Sequence, residues 1–128
     1  MHAVIAVKRV YDAPADADGA RFLVDRLWPR GLRKDRLPLD GWLRDVAPSE
    51  ALRRWFGHEP AKWMEFRERY GAELKGAGAA LAPLLEAARR GPLTLLTAVK
   101  DLDHAHAQVL RDHLRRSLRR SAKKRARK

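Results

Sequence analysis

The chain has 128 residues, no cysteine, 45% hydrophobic residues and a formal net charge of +12. Such a length suits one domain with its own core. The lack of cysteine excludes disulfides, thiolate zinc ligands and a cysteine nucleophile. No run approaches the roughly 18 apolar residues of a membrane span, so no membrane partner is expected. The opening MHAVIAVKR has neither the basic n-region nor the apolar h-region of a secretory signal, and a cytoplasmic location is the expectation. The charge is unevenly spread. Residues 111–128 hold ten Lys or Arg against the single acid Asp112, a net +9, whereas residues 1–110 carry only +3. The high pI therefore belongs to an appendage rather than to the fold.

Ala3 to Val10 is an apolar run ending in Lys8 and Arg9, and its continuity suits a strand covered on both faces of a parallel sheet. Tyr11 to Gly19 is a loop by its Pro, Gly and Asp content. Arg21 to Trp28 is the second strand, apolar first and charged later at Asp25 and Arg26, and Pro29 stops it. Asp40 is placed to cap a short helix through Val46, and Ser49 another through Phe56, with Gly57 as terminator. Pro60 suits the first turn of a longer helix in which Trp63, Phe66, Tyr70 and Leu74 make one buried stripe. A further helix carries Leu81, Leu84, Leu85 and Ala88 and tolerates Pro83 only in its first turn.

Leu93 to Val99 has the composition of a buried strand, and a charged break leads from it into a last helix. Asp101 or Asp103 is the expected N-cap of that helix, and Ala107, Leu110, Leu114 and Leu118 its buried face. Strands separated by helices predict an α/β class. The expectation is a small three-layer single domain over residues 1–120, with a short, mostly parallel sheet of about three strands and four to five helices. Residues 121–128 are expected to form a basic, disordered tail.

Each predicted strand ends in charge: Lys8-Arg9, Asp25-Arg26 and Lys100-Asp101. In a parallel sheet these ends converge on the edge where α/β proteins bind ligands, beside a helix N-terminus that favours anions. Arg9, Asp25, Arg26, Trp28, Arg30, Lys100 and Asp101 are the candidate ligand-binding residues, for a small phosphate- or carboxylate-bearing ligand. The alternative is that these charges pair among themselves, Asp25 with an arginine for instance. Trp28 suits either stacking on a flat ligand or core burial. At 100° per residue, His106 points towards the sheet and His104 lies nearer the rim. Both are candidate catalytic residues because imidazole titrates near neutrality, and both can equally be satisfied by backbone. Neither a metal nor a cofactor is expected, since histidines at i and i+2 diverge on a helix and no nucleotide fingerprint occurs.

VKRVYD at 7–12, LVDRLWPRG at 23–31, LRRWFGH at 52–58 and TLLTAVKDLDHAHAQVL at 94–110 together resemble the YeaO-like bacterial proteins, domain of unknown function 488. The match runs over roughly residues 3–118 and is specific, because LVDRLWPRG is long and unusual in composition. The resemblance implies a compact cytosolic α/β protein without an assigned activity. It also implies that Arg9, Asp25, Arg26, Trp28, Arg30, Lys100, His104 and His106 are the motif positions. More distant members carry cysteines aligning with Thr97 and Ala105; this chain has neither, so a thiol-dependent role does not carry over.

Two other readings compete with the small-ligand one. The basic stretch 111–128 would bind the phosphates of nucleic acid regardless of sequence, although no known nucleic-acid-binding motif accompanies it. A non-catalytic interaction module using exposed tryptophans is the other. Deletion of 121–128 is expected to leave the melting temperature nearly unchanged, because no apolar periodicity continues there; a large drop would mean that the segment packs on the body.

Overall fold

A computed structural model describes residues 3–126. Strands β1 (Ile5–Arg9), β2 (Ala20–Leu23) and β3 (Gly41–Trp42) come first, followed by helices α1 (Glu50–Phe56), α2 (Trp63–Lys75) and α3 (Gly78–Arg90). Strand β4 (Leu93–Thr97) and helix α4 (His106–Ala126) complete the order. The sheet has four strands in the order β1-β4-β2-β3, and every pairing is parallel. The expected count of three is thus one short. β3 is only two residues long, below the length at which alternation can be read.

The strand at the centre is the most apolar one. All five residues of β4 are buried, whereas β1 lies at an edge and exposes Ala6. Side chains alternate across β4. Leu93 and Leu95 face a large core built with Phe66, Tyr70, Leu84, Leu110 and Leu114, to which all four helices contribute. Leu96 faces a smaller cluster with Val10, Leu23 and Leu37, closed over by Trp28, Leu32 and Trp42. Helices therefore cover one face, and the irregular segment 28–40 covers the other.

Local signals decide most boundaries. Ser49 Oγ accepts from Leu52 N–H at 3.2 Å, and Gly57 ends α1 in the left-handed conformation at φ 54°. Phe66, Tyr70 and Leu74 form the buried stripe of α2, entered through a turn at Pro60–Lys62. Three expectations need correction. β2 stops at Leu23, because Val24 to Trp28 turns away over the sheet edge. Asp40 caps no helix; its carboxylate accepts from the Arg21 N–H at 2.7 Å and fixes the start of β3. Pro83 lies in the second turn of α3, on an exposed side where the carbonyl freed at Ala79 meets water. As far as it is described, the basic end at 121–126 continues α4, as its Ala, Arg and Lys content favours. The rest of the expected tail, 127–128, lies outside the described residues.

A buried acid ties the sheet to the loop before β2. Asp18 accepts from Lys8 Nζ at 2.9 Å, from Ala15 N–H at 3.1 Å and from Arg21 Nη1, and its carbonyl accepts from Thr94 Oγ1 at 2.8 Å. The Lys8 hydrogen bond, above all, holds this carboxyl below the usual carboxylate range. Gly19 follows at φ 64°, and a Cβ there would lie 2.2 Å from the Pro92 carbonyl oxygen. Gly31 also has a positive φ, 79°, but faces open space. Gly19→Ala is therefore expected to cost roughly 3 kcal/mol or more and Gly31→Ala only about 1, in a chemical denaturation series. Equal losses would show that the close approach at Pro92 relaxes freely.

Candidate functional site

Because the strands are parallel, their C-terminal ends share one edge, and a cavity of about 680 Å³ opens there. The chain beyond β2 supplies Asp25, Arg26, Trp28 and Arg30, and the chain beyond β4 supplies Lys100, Asp101, His104 and His106. Eight of the nine candidate residues meet in this one space. Arg9 does not: its guanidinium lies 5.0 Å from the centre of the Tyr11 ring, and it is not among the residues lining the cavity. β1 is separated from β2 by β4, which carries Arg9 to the far side of the edge.

The two carboxylates are held by neighbours other than arginine. Asp25 Oδ2 accepts from Ala98 N–H at 2.8 Å, while Oδ1 lies 3.2 Å from His106 Nε2. The imidazole N–H is directed at the Val24 carbonyl oxygen, 3.0 Å away, so Oδ1 is left buried without a full hydrogen bond. Burial acts to raise the Asp25 pKa; the His106 ring close beside it, with the Ala98 N–H and the Thr97 hydroxyl, outweighs burial and holds the carboxyl below its ordinary range. Asp101 is exposed and engages His104 Nδ1 at 2.6 Å, which lowers its pKa. That contact replaces the expected capping role. A short turn spans Leu102–His104 and α4 begins only at His106.

His106 is turned to the sheet with its ring edge-on to Tyr70, and His104 sits nearer the rim against Trp63. Tyr70 donates to the Val46 carbonyl at 2.5 Å, and burial drives its pKa upward. Trp28 is partly packed in the smaller core: its indole N–H donates to Leu32 O at 2.7 Å and its ring meets Trp42 edge-on at 5.3 Å. Trp28 also lines the cavity.

The cations are arranged differently. Arg26 Nη2 donates to Pro48 O at 3.2 Å, but its Nε is buried with no acceptor. Arg26, Arg30 and Lys100 have no carboxylate within ion-pair distance among the described residues. Two further basic residues, Arg53 and His58, enter the lining from the end of α1. His58 follows Gly57 and has φ 57°, a conformation uncommon for a residue with a Cβ. Sequence reasoning missed both, since only the packing of α1 on α2, with Phe56 stacked on Phe66, brings them here. The available signal was the Ser49-to-Gly57 helix frame, which places His58 just past a left-handed stop. Phe56, Phe66 and Pro48 complete an apolar floor. Among the described residues no group of three or more His, Asp or Glu converges as a metal ion would require.

A parallel α/β domain with a basic, partly aromatic cavity at the strand ends is the class that fold and site define. Residues 4–128 match the family model described as the inactive DUF488-N3 subclade, and the chain belongs to that family. Uncharacterized protein YeaO of Escherichia coli is 46% identical over 111 residues, 87% of this chain and 96% of that protein. Uncharacterized protein Rv3073c of Mycobacterium tuberculosis is 44% identical over 106 residues, 83% of this chain and 89% of that protein. No solved structure matches the chain. No helix among the described residues is long and apolar enough to cross a membrane.

Asp25 gives this site a pH signature. Its depressed pKa means that the folded state binds the proton less readily than the unfolded chain, so its stabilisation is full above about pH 4 and fades as pH falls through the folded value. Asp25→Asn is expected to lower stability by about 2 kcal/mol at neutral pH, with the gap from wild type closing as pH falls below about 4. Denaturation midpoints at several pH values measure this. A gap that stays constant with pH would assign the loss to packing instead.

Proposed function

We infer that the cavity binds a small ligand that joins an anionic group to a flat apolar body, and that it binds without turning the ligand over. The observation that carries this is the imbalance of charge and partners in the lining. Arg26, Arg30, Arg53 and Lys100 lack carboxylate partners among the described residues, and of the two acids present Asp101 is engaged by His104 and Asp25 by the Ala98 N–H beside His106. A buried guanidinium N–H without an acceptor, as at Arg26 Nε, costs free energy that a phosphate or carboxylate oxygen would recover. Phe56, Phe66 and Trp28 offer the apolar contact for the rest of the ligand. The volume falls within the roughly 300–1,000 Å³ of small-molecule sites.

In this reading His106 and His104 are positioning residues. His106 donates its Nε2 proton to a backbone carbonyl beside Asp25, and His104 is bound to Asp101, which suits walls better than proton carriers. The inactive label of the matching family model agrees with that. The nucleic-acid expectation for residues 111–128 concerns another surface, because α4 runs from this edge to the opposite one.

Phenyl phosphate tests the reading, with inorganic phosphate and phenol as comparisons, by calorimetric titration. Phenyl phosphate is expected to bind more tightly than either fragment, and Arg26→Ala or Arg30→Ala to weaken it by about tenfold, near the loss of one charge-assisted hydrogen bond. Equal affinity of wild type and both variants would sink the proposal. Release of phenol that disappears in His106→Ala would replace binding by catalysis.

A further inference from the structure

We propose that the C-terminal half of α4 is a docking rail for duplex nucleic acid, held by its phosphates without regard to sequence. The rail is a consequence of geometry rather than of net charge alone. At about 100° per residue, Arg116, Arg119, Arg120, Lys123 and Lys124 fall within an arc of about 140° on one side of the helix. All five are exposed, and none has a carboxylate within ion-pair distance among the described residues. Leu114 and Leu118 lie on the other side, packed into or against the main core. Arg115 Nη2 donates to the Ile5 carbonyl at 3.2 Å and clamps the helix to the N-terminal edge of β1. The cationic row is thus presented outward on a braced helix, at the edge of the sheet opposite the cavity.

The observations favour duplex nucleic acid over other polyanions. Binding flat on an anionic membrane requires an apolar face to enter the lipid, and that face of α4 is already spent on the protein's own core as far as Leu118. Beyond it Ser121 and Ala122 offer little apolar surface. Single strands are held by aromatic stacking, and residues 114–126 contain no aromatic side chain. The five cations span about 12 Å of helix, and a helix is about as wide as the major groove of a duplex. The stretch has no Asn or Gln, the commonest readers of adenine, so its Arg and Lys are assigned to phosphates, with guanine edges the one base contact open to them.

The test uses the full chain and a short fluorescein-labelled DNA duplex of mixed sequence, followed by fluorescence anisotropy between about 50 and 200 mM salt. With about five phosphates neutralised, log affinity is expected to fall against log salt with a slope of about −4.5. The triple variant Arg120→Ala, Lys123→Ala, Lys124→Ala is expected to reduce that slope by about 2.7. A control of equal charge change elsewhere, Arg33→Ala, Arg36→Ala, Arg54→Ala, on the segment before β3 and on α1, is expected to leave it nearly unchanged. Circular dichroism confirms that both variants fold, since all six positions are exposed. Equal loss in the two triple variants would overturn the proposal in favour of diffuse attraction. Absence of duplex binding, tighter binding to the matching single strand, or binding only to vesicles of phosphatidylserine and phosphatidylcholine would each overturn it as well.

Discussion

Asp25 is the point on which the C-terminal edge of the sheet depends. Its carboxylate takes the Ala98 N–H just past β4, its carbonyl oxygen takes the Trp42 indole N–H from β3 at 2.7 Å, and His106 at the start of α4 lies against it. One residue beyond β2 thereby joins both neighbouring strands and the last helix. A carboxylate can do this because it accepts several bonds at once and stays ionised when enough of them are made. The cavity exists where it does because these ties fix two loops that would otherwise be free to collapse over the edge.

The same arrangement explains how cations can crowd one cavity. Within the sheet, a charge such as that of Arg21 is matched at once by Asp18. At the open edge water is still near, so Arg30 and Lys100 stay exposed and need no protein partner. The acids that could have neutralised them are held by Ala98, His106 and His104 instead. The lining is positive because Arg26, Arg30, Arg53 and Lys100 outnumber Asp25 and Asp101, and the contacts of those two acids keep them from pairing with the cations. Structural and electrostatic roles of the motif are the same contacts seen from two sides.

Much of this was legible from residue order, and the failures have physical causes. The apolar run at 93–99, the Ser49 cap and the Trp63-Phe66-Tyr70-Leu74 stripe are local patterns, and each produced its element, although the strand stops at Thr97 and Trp63 is only partly buried. The gathering of Asp25, Arg26, Arg30 and Lys100 was readable because a parallel sheet sends all strand ends one way. Arg9 was misplaced because strand order is a tertiary property, and the insertion of β4 moved β1 outward. β3 is held by Asp40 and Trp42 contacts to β2 that no sequence period announces. Arg53 and His58 belong to the site only through the way α1 is packed.

The strand order also governs when this protein can fold as it is made. β1 pairs only with β4, and β2 meets β1 nowhere in the sheet. A chain emerging from the ribosome therefore holds its first strand and its β2–β3 pair apart until residues 93–97 are released. The large core is equally incomplete before then, since Leu93, Leu95, Leu110 and Leu114 all come from the last third. Contacts of such long sequence separation form late and slowly, so assembly is a single closing event in which β4 slots between two waiting partners. Helix α4 then seals that slot, and fold and cavity form together once residues 93–114 are available.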